Sequence, residues 1–384
     1  MKKIFTLILF IFAVVFSGCI YPFEPKNVKE TENLLVVDGD IIANGTTIVK
    51  LSRSYKLSYP KEMDIPVERS ARVVVESSTG EIYPAYETSP GCYEAATDGL
   101  DLSAQYRLHI TTQDNMEYAS QFVPVSISPP IDSLTWFLNL WEGCINIYVS
   151  TQDSTNKTLY YRWNYEQTWE FTSAYNAMIT FNSETGEYED FPDLINPYYY
   201  CWNEQNSSAI LLGNSLNLSE DVIADKLLIT IKSGDQRISY LYSVLVIQRA
   251  LTAEGYVYWE NLRKNGQDLG GIFAPMPSEV RGNIYCLSHP DQFVLGFVGA
   301  TTLTYSRIFI ERPFHFSQGV GDCENVTGIF PYNIANLRQL SRYYRPVFIV
   351  DPERLSAIWT QNRCADCTFT GTKNKPPWWP NDHI

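Results

Sequence analysis

Histidine is scarce in this sequence, four in 384 residues, and none stands in the H-E-x-x-H spacing by which one helix face offers two imidazoles to zinc. A G-x-S-x-G turn, a Walker loop and a strand-to-helix G-x-G-x-x-G are missing as well. Reactions built on those constellations are excluded, and the sequence points to no cofactor and no metal. Charged residues make up only 19% of the chain, and 43 Asp and Glu outweigh 29 Lys and Arg for a formal net charge of −14. A chain so acidic lacks the basic surface that nucleic acid and anionic lipid headgroups select. No apolar run approaches the roughly 20 residues of a spanning helix, and there is neither a heptad pattern nor an internal repeat.

What is abundant is aromatic, 14% of the chain with 26 Tyr, a bias that favours strands and rigid contact surfaces. The most informative stretch is the first. Lys2 and Lys3 precede the apolar run Ile4 to Phe16 and then Ser17-Gly18-Cys19. A positive start, a short apolar region and small residues before a cut make a secretory leader, and the Cys after Gly18 makes it a lipoprotein signal. Residues 1–18 are therefore expected to be removed and Cys19 acylated, by palmitate among other chains, which would hold the mature protein on a membrane. Ile20-Tyr21-Pro22-Phe23-Glu24-Pro25 is too rich in proline for helix or central strand, so residues 19–33 read as a tether.

With Cys19 acylated, seven cysteines remain: Cys92, Cys144, Cys201, Cys286, Cys323, Cys364 and Cys367. An odd number in an exported chain leaves at least one unpaired. Cys364-x-x-Cys367 lacks nearby ligands to complete a zinc site, and an oxidising compartment favours disulfides. The expected pairs are Cys323 with Cys364 or Cys367, and Cys201 with Cys286; Cys92 and Cys144 are expected to be free.

Short apolar or alternating runs between turn signals mark a mainly β chain. Residues 34–125 read as an immunoglobulin-like β-sandwich, and the order of its strands, with Gly91-Cys92-Tyr93 and Tyr106-Arg107-Leu108-His109-Ile110, resembles the transthyretin-like or carboxypeptidase-regulatory type. Pro129-Pro130 closes that unit. Residues 131–320 read as a larger antiparallel β domain with a strand at Leu241 to Ala250, a short helix near 253–264 capped by Thr252 and facing the sheet through Val257, Tyr258 and Leu262, and a hairpin from Phe293 to Ile310. The acidic stretch Thr180 to Asp193 lacks an EF-hand spacing and reads as a solvated loop. Residues 321–384 read as an extended C-terminal arm pinned by cysteines and by Trp378-Trp379.

In the strand Tyr161 to Phe171, Tyr161, Trp163, Tyr165, Trp169 and Phe171 share one face and Arg162, Asn164, Glu166, Thr168 and Glu170 the other. Core is the first use of that aromatic face. Trp163, Tyr165 and Trp169, with Tyr199 and Trp202, are also the candidate surface for a ligand or partner. Candidates for catalysis are thin: His109 lies within a strand, nothing brings His289 and His315 together, His383 is in the tail, and Ser154-x-x-Lys157 falls in a turn. Asp132-Ser133-Leu134 and Asp153-Ser154-Thr155 fit an Asp-Ser/Thr-apolar glycosylation pattern.

Taken together, the lipobox with Tyr21-Pro22-Phe23, Leu35-Val36-Val37-Asp38-Gly39, Val49-Lys50-Leu51-Ser52-Arg53, Pro129-Pro130-Ile131-Asp132-Ser133, Tyr161-Arg162-Trp163, Cys201-Trp202, Gly270-Gly271-Ile272-Phe273, Gly282-Asn283-Ile284, Val294-Leu295-Gly296-Phe297 and Cys364-x-x-Cys367 with Pro377-Trp378-Trp379 resemble a family of Bacteroidota lipoproteins of unknown function, encoded beside TonB-dependent receptors. The resemblance implies a non-catalytic accessory lipoprotein, similar in position to the SusD, SusE and SusF classes but not to the helical SusD fold. It implies the outer membrane as location, the cell surface favoured over the periplasmic face, a TonB-dependent β-barrel as partner and a glycan or peptide as ligand. The rival readings are a structural subunit of an envelope assembly or secretion complex, and a hydrolase with an unrecognised site.

Overall fold

The fold is described for residues 33–55, 66–192, 196–218, 220–267, 280–319, 323, 334–351 and 356–380 of the computed structural model. The leader, Cys19, most of the tether, the Gly270–Pro277 loop and His383 lie outside them. Among the described residues, no helix is long and apolar enough to cross a membrane.

The mainly β composition is realised as several sheets. Nine strands come first: β1 (Leu35–Asp38), β2 (Ile41–Ile42), β3 (Thr46–Arg53), β4 (Arg72–Ser77), β5 (Ile82–Ser89), β6 (Cys92–Ala96), β7 (Gln105–Thr111), β8 (Glu117–Ser120) and β9 (Val123–Ser126). They hydrogen-bond in the order β1-β3-β6-β5-β4-β7-β9, with β8 beside β7. Alternation decides which side turns inward, burying Thr47, Val49 and Leu51 of β3 and Tyr106, Leu108 and Ile110 of β7.

This core is not finished by residue 125. β19 (Ile284–Cys286) pairs with β8, and β20 (Ala300–Thr301) lies parallel between β2 and β9, so that Ile284, Val294, Val298 and Ala300 join the first core. The expected single unit 131–320 and the expected hairpin from Phe293 to Ile310 are both corrected by this return. Close backbone approach holds it in place. A Cβ on Gly282 would collide with the Gly296 carbonyl oxygen, and one on Gly296, whose φ is +132°, with that of Val37.

The second domain packs two sheets face to face. One holds β10 (Ile131–Asn139), β11 (Cys144–Gln152) and β17 (Val222–Lys232); the other orders β15 (Tyr200–Asn206), β12 (Tyr160–Thr172), β18 (Leu241–Ala250) and β21 (Leu303–Glu311), with β16 (Leu211–Asn214) also on β12. Ile145, Ile147, Val149, Trp163, Phe171, Ile229, Val244 and Val246 fill the space between. Helix α1 (Ala253–Gln267) starts where the sequence places it, Thr252 Oγ1 accepting from the Gly255 N–H at 3.1 Å, but continues through Asn265-Gly266. Val257, expected against the sheet, is exposed. Tyr256 and Trp259 reach the sheet instead, over Tyr160 and Arg162.

The acidic loop and the extended arm are corrected together. Thr180 to Asp193 contains the hairpin β13 (Ile179–Asn182) and β14 (Glu187–Asp190), and the C-terminal region forms α2 (Ile334–Leu340), β22 (Tyr344–Asp351), β23 (Ser356–Gln361) and α3 (Asn362–Ala365). Each piece is too small to bury its apolar side alone, and together they close a core of Ile179, Leu337, Ala357 and Trp359. Two disulfides reinforce this end, Cys201–Cys367 and Cys323–Cys364. Cys323 has one of its two expected partners, but the pairing of Cys201 with Cys286 is wrong. Cys286 sits on β19 in the first core, whereas Cys201 opposes Phe171 across β15 and β12. Cys286 is therefore a free buried thiol, beside free Cys92 and Cys144.

Candidate functional site

The five aromatic residues singled out as a surface do not form one. Trp163 is fully buried, stacks on Tyr161 with ring centroids 5.8 Å apart and donates from Nε1 to Gln248 Oε1 at 2.8 Å. Gln248 in turn donates to the Pro129 carbonyl at 2.9 Å and Thr151 Oγ1 at 3.0 Å. Trp169 is buried in the same core and Tyr165 packs at its margin. Tyr199 and Trp202 are half-buried at the other end of the sheet. The aromatic face of β12 is core, and the charged and exposed groups that stand out lie on the opposite face and at the two ends of the second domain.

On that opposite face, Arg162 of β12 and Arg249 of β18 are direct register partners. Like charges opposed across strands repel, and here they converge on Asp40, which the first domain pushes into the seam. Arg249 Nη1 donates to Asp40 Oδ2 at 2.9 Å, Arg162 Nη1 stands 3.8 Å from the same oxygen, and Asp40 Oδ1 accepts from the Gly299 N–H at 3.1 Å. The Arg162 guanidinium stacks 3.5 Å above the Trp259 ring. Burial pulls Arg162 down to about 10, against the upward pull of Asp40 and with the downward push of Arg249. A cleft of about 450 Å³ opens beneath α1 beside Tyr258, Asn261, Asn283 and Phe297, and another of about 420 Å³ lies between Ile127, Pro129, Thr155, Lys157 and Leu251.

Farther along the same face, Arg307 of β21 stacks 3.7 Å from Trp378, and Trp379 meets Phe309 at 5.8 Å. The C-terminal tail thus covers one end of the sheet and α1 the other.

The second domain also has a bare apolar end. β10, β12 and β18 span from the seam to this end, where the Leu140–Gly143 turn, Ser233 and the Pro313–Ser317 loop meet through Ser233 N to Gly143 O at 2.8 Å and Ser317 N to Ser233 Oγ at 3.1 Å. Trp141 is 100% exposed and Phe314 96%, and Leu140 is exposed too, as are Trp136 and Phe137 on opposite faces of β10. Among the described residues β10 is hydrogen-bonded to β11 alone and lies against β21 without pairing to it. The turn carries a Trp where polar residues are the rule, the one sequence signal that could have found this end.

The thin catalytic candidates stay apart. His109 pairs with Glu76 at 2.9 Å on the first domain, His289 packs there near Cys286, and His315 contacts Phe314 at the far end. Ser154 and Lys157 sit in a turn organised by Asp153, whose carboxylate accepts from the Thr155, Lys157 and Thr158 N–H groups and the Thr155 hydroxyl. Those bonds outweigh its desolvation and bring Asp153 down to about 2. Among the described residues there is no group of three or more His, Cys, Asp and Glu placed to hold a metal ion.

No curated protein matches this sequence. Residues 20–307 match a family profile described as a domain of unknown function, and that span takes in both β domains up to the middle of β21, α1 and every residue of the Asp40–Arg162–Arg249 cluster. The chain belongs to the family Domain of unknown function (DUF4249).

Proposed function

We propose that the protein is a non-catalytic accessory lipoprotein of the Bacteroidota outer membrane, anchored by acylated Cys19, that docks on a TonB-dependent β-barrel receptor and serves nutrient capture or uptake. The observation that carries this reading is the bare apolar end formed by Trp136, Phe137, Leu140, Trp141 and Phe314. Exposed aromatic residues gathered about one turn favour an interaction surface, and Trp is enriched among the anchors of such surfaces. Its position supports a protein partner over the protein's own membrane. β1 runs from Asn33 toward Asp40 and the seam, so the tether joins the first domain at the side away from the second, while the apolar end lies beyond the second.

The test is affinity purification of the native lipoprotein from detergent-solubilised outer membrane, with Trp141→Ser/Phe314→Ser alongside. A TonB-dependent barrel should be recovered with the native protein and lost with the double variant. Recovery without any barrel, or a barrel retained by the variant, would overturn the proposal. Protease shaving of intact cells tests the favoured surface location, and complete protection would assign the periplasmic face.

A further inference from the structure

We infer that the seam beside Asp40 is a binding site for a small oxyanion, the carboxylate or phosphate group of a ligand, held by Arg162 and Arg249 with Trp259 as its wall. The site is independent of the docking end.

Three features converge on it. First, two arginines face one another across β12 and β18, and among the described residues the carboxylate in ion-pair reach of both is Asp40, itself 5% exposed at its side chain, while Asp38 acts on Arg162 from farther off. Second, Arg162 Nη1 is buried without an acceptor among the described residues, its side chain being only 11% exposed. Its Nη1, 3.8 Å from Asp40 Oδ2, is beyond hydrogen-bond reach. Third, Arg249 Nε and Trp259 Nε1 are also buried without an acceptor among the described residues. Buried polar groups are almost always satisfied, because each orphan forfeits its bond to water. Three orphaned N–H donors on three neighbouring elements, β12, β18 and α1, describe a place where an acceptor-rich, negatively charged group belongs. Arginine is suited to the task, since its planar fork matches carboxylate and phosphate oxygens. One pleat along the same face Asn164 Oδ1 is likewise unpartnered, an acceptor that fits a hydroxyl carried by the same ligand.

The chemistry excludes a metal cation, which the two guanidiniums repel. It excludes a purely apolar ligand, which would leave the orphaned donors unpaid. The occupant is therefore either an inorganic oxyanion or an organic acid, and separate probes distinguish them.

The experiment is equilibrium dialysis of the mature chain, at constant ionic strength in chloride, with phosphate, sulfate and succinate as individual probes. One ion per chain should bind, chloride should not compete, and Arg162→Met should weaken binding at least about tenfold with the far-ultraviolet circular dichroism unchanged. Tighter phosphate or sulfate points to an inorganic or phosphorylated ligand, and tighter succinate to an organic acid. Should Arg162→Met fail to fold, Trp259→Phe keeps the stacking ring, removes one donor and should weaken binding severalfold. No binding of any probe at millimolar concentration, or binding that a folded variant leaves unchanged, overturns the inference.

Discussion

Asp40→Ala should strongly destabilise the protein, even though Asp40 belongs to neither core. Its side chain is 5% exposed, accepts from Arg249 at 2.9 Å and from the Gly299 N–H at 3.1 Å, and stands 3.8 Å from Arg162. Removing one member of a buried ion pair costs about 3–5 kcal/mol, because the surviving charge keeps its desolvation without its partner. Here two arginines survive, opposed to each other. A backbone N–H left without an acceptor adds about 1–3 kcal/mol. The side chains of Arg162 and Arg249 remain 11% and 15% exposed and can turn toward solvent, so the low end, about 3 kcal/mol, is expected. For domains of this size that is a fall in Tm of about 6–12 °C by scanning calorimetry. Asp40→Asn, which retains an oxygen for Gly299, should fall less than Ala. The sharpest check is Asp40→Ala combined with Arg162→Met, which should be more stable than Asp40→Ala alone, because it removes the repulsion as well as its neutraliser. A single-variant shift under about 2 °C, or strictly additive effects, would refute the electrostatic account.

Three further outcomes are expected. Asp153 is held near 2 by its turn, below the unfolded carboxylate range, so its contribution is complete above about pH 4 and is lost as pH falls toward 2; Asp153→Asn should flatten that part of the stability profile, and an unchanged profile would discard the assignment. Cys201→Ser should lower stability by about 2–5 kcal/mol, since Cys201–Cys367 closes a separation of 166 residues, whereas Cys286→Ser should leave the number of disulfides unchanged by thiol titration. Under the lipoprotein reading, Cys19→Ser should accumulate as unprocessed precursor, while a chain starting at Ile20 behind an ordinary cleavable signal should be soluble; its binding to partner-free vesicles would show that the acyl chains are not the anchor.

Local pattern carried the strands well and long-range assembly poorly. The period-2 alternation from Tyr161 to Phe171 identified the inward face of β12, because alternation is a property of the pleat itself. It could not reveal that the other face is partly covered too, burying Thr168 and leaving Arg162 mostly enclosed, since the covers are α1 and the C-terminal tail. Strand Leu241–Ala250 and the start of α1 were legible for the same local reason. The misassigned Cys286 has one cause: its segment rejoins a domain begun far earlier in the chain, and no periodicity encodes that. The same holds for the seam. Asp40, Arg162 and Arg249 are ordinary charged residues in three separate strands or turns, and only the fold makes them neighbours.

The return of residues 283–301 also has a mechanical consequence. β1, the first strand after the tether, is gripped on both sides. It pairs antiparallel with β3 from Leu35 to Asp38, and on its other flank Val37 N donates to Leu295 O at 2.8 Å and Leu295 N to Leu35 O at 2.9 Å. Those bonds lie across the strand. Under the lipoprotein reading, tension arriving along β1 from its N-terminal side loads both rows in shear, all bonds at once, instead of peeling them one at a time. The strand that, under that reading, takes up the pull of the anchor is clamped by a segment that enters only after most of the second domain, so resistance to extraction depends on the return of residues 283–301 from that domain.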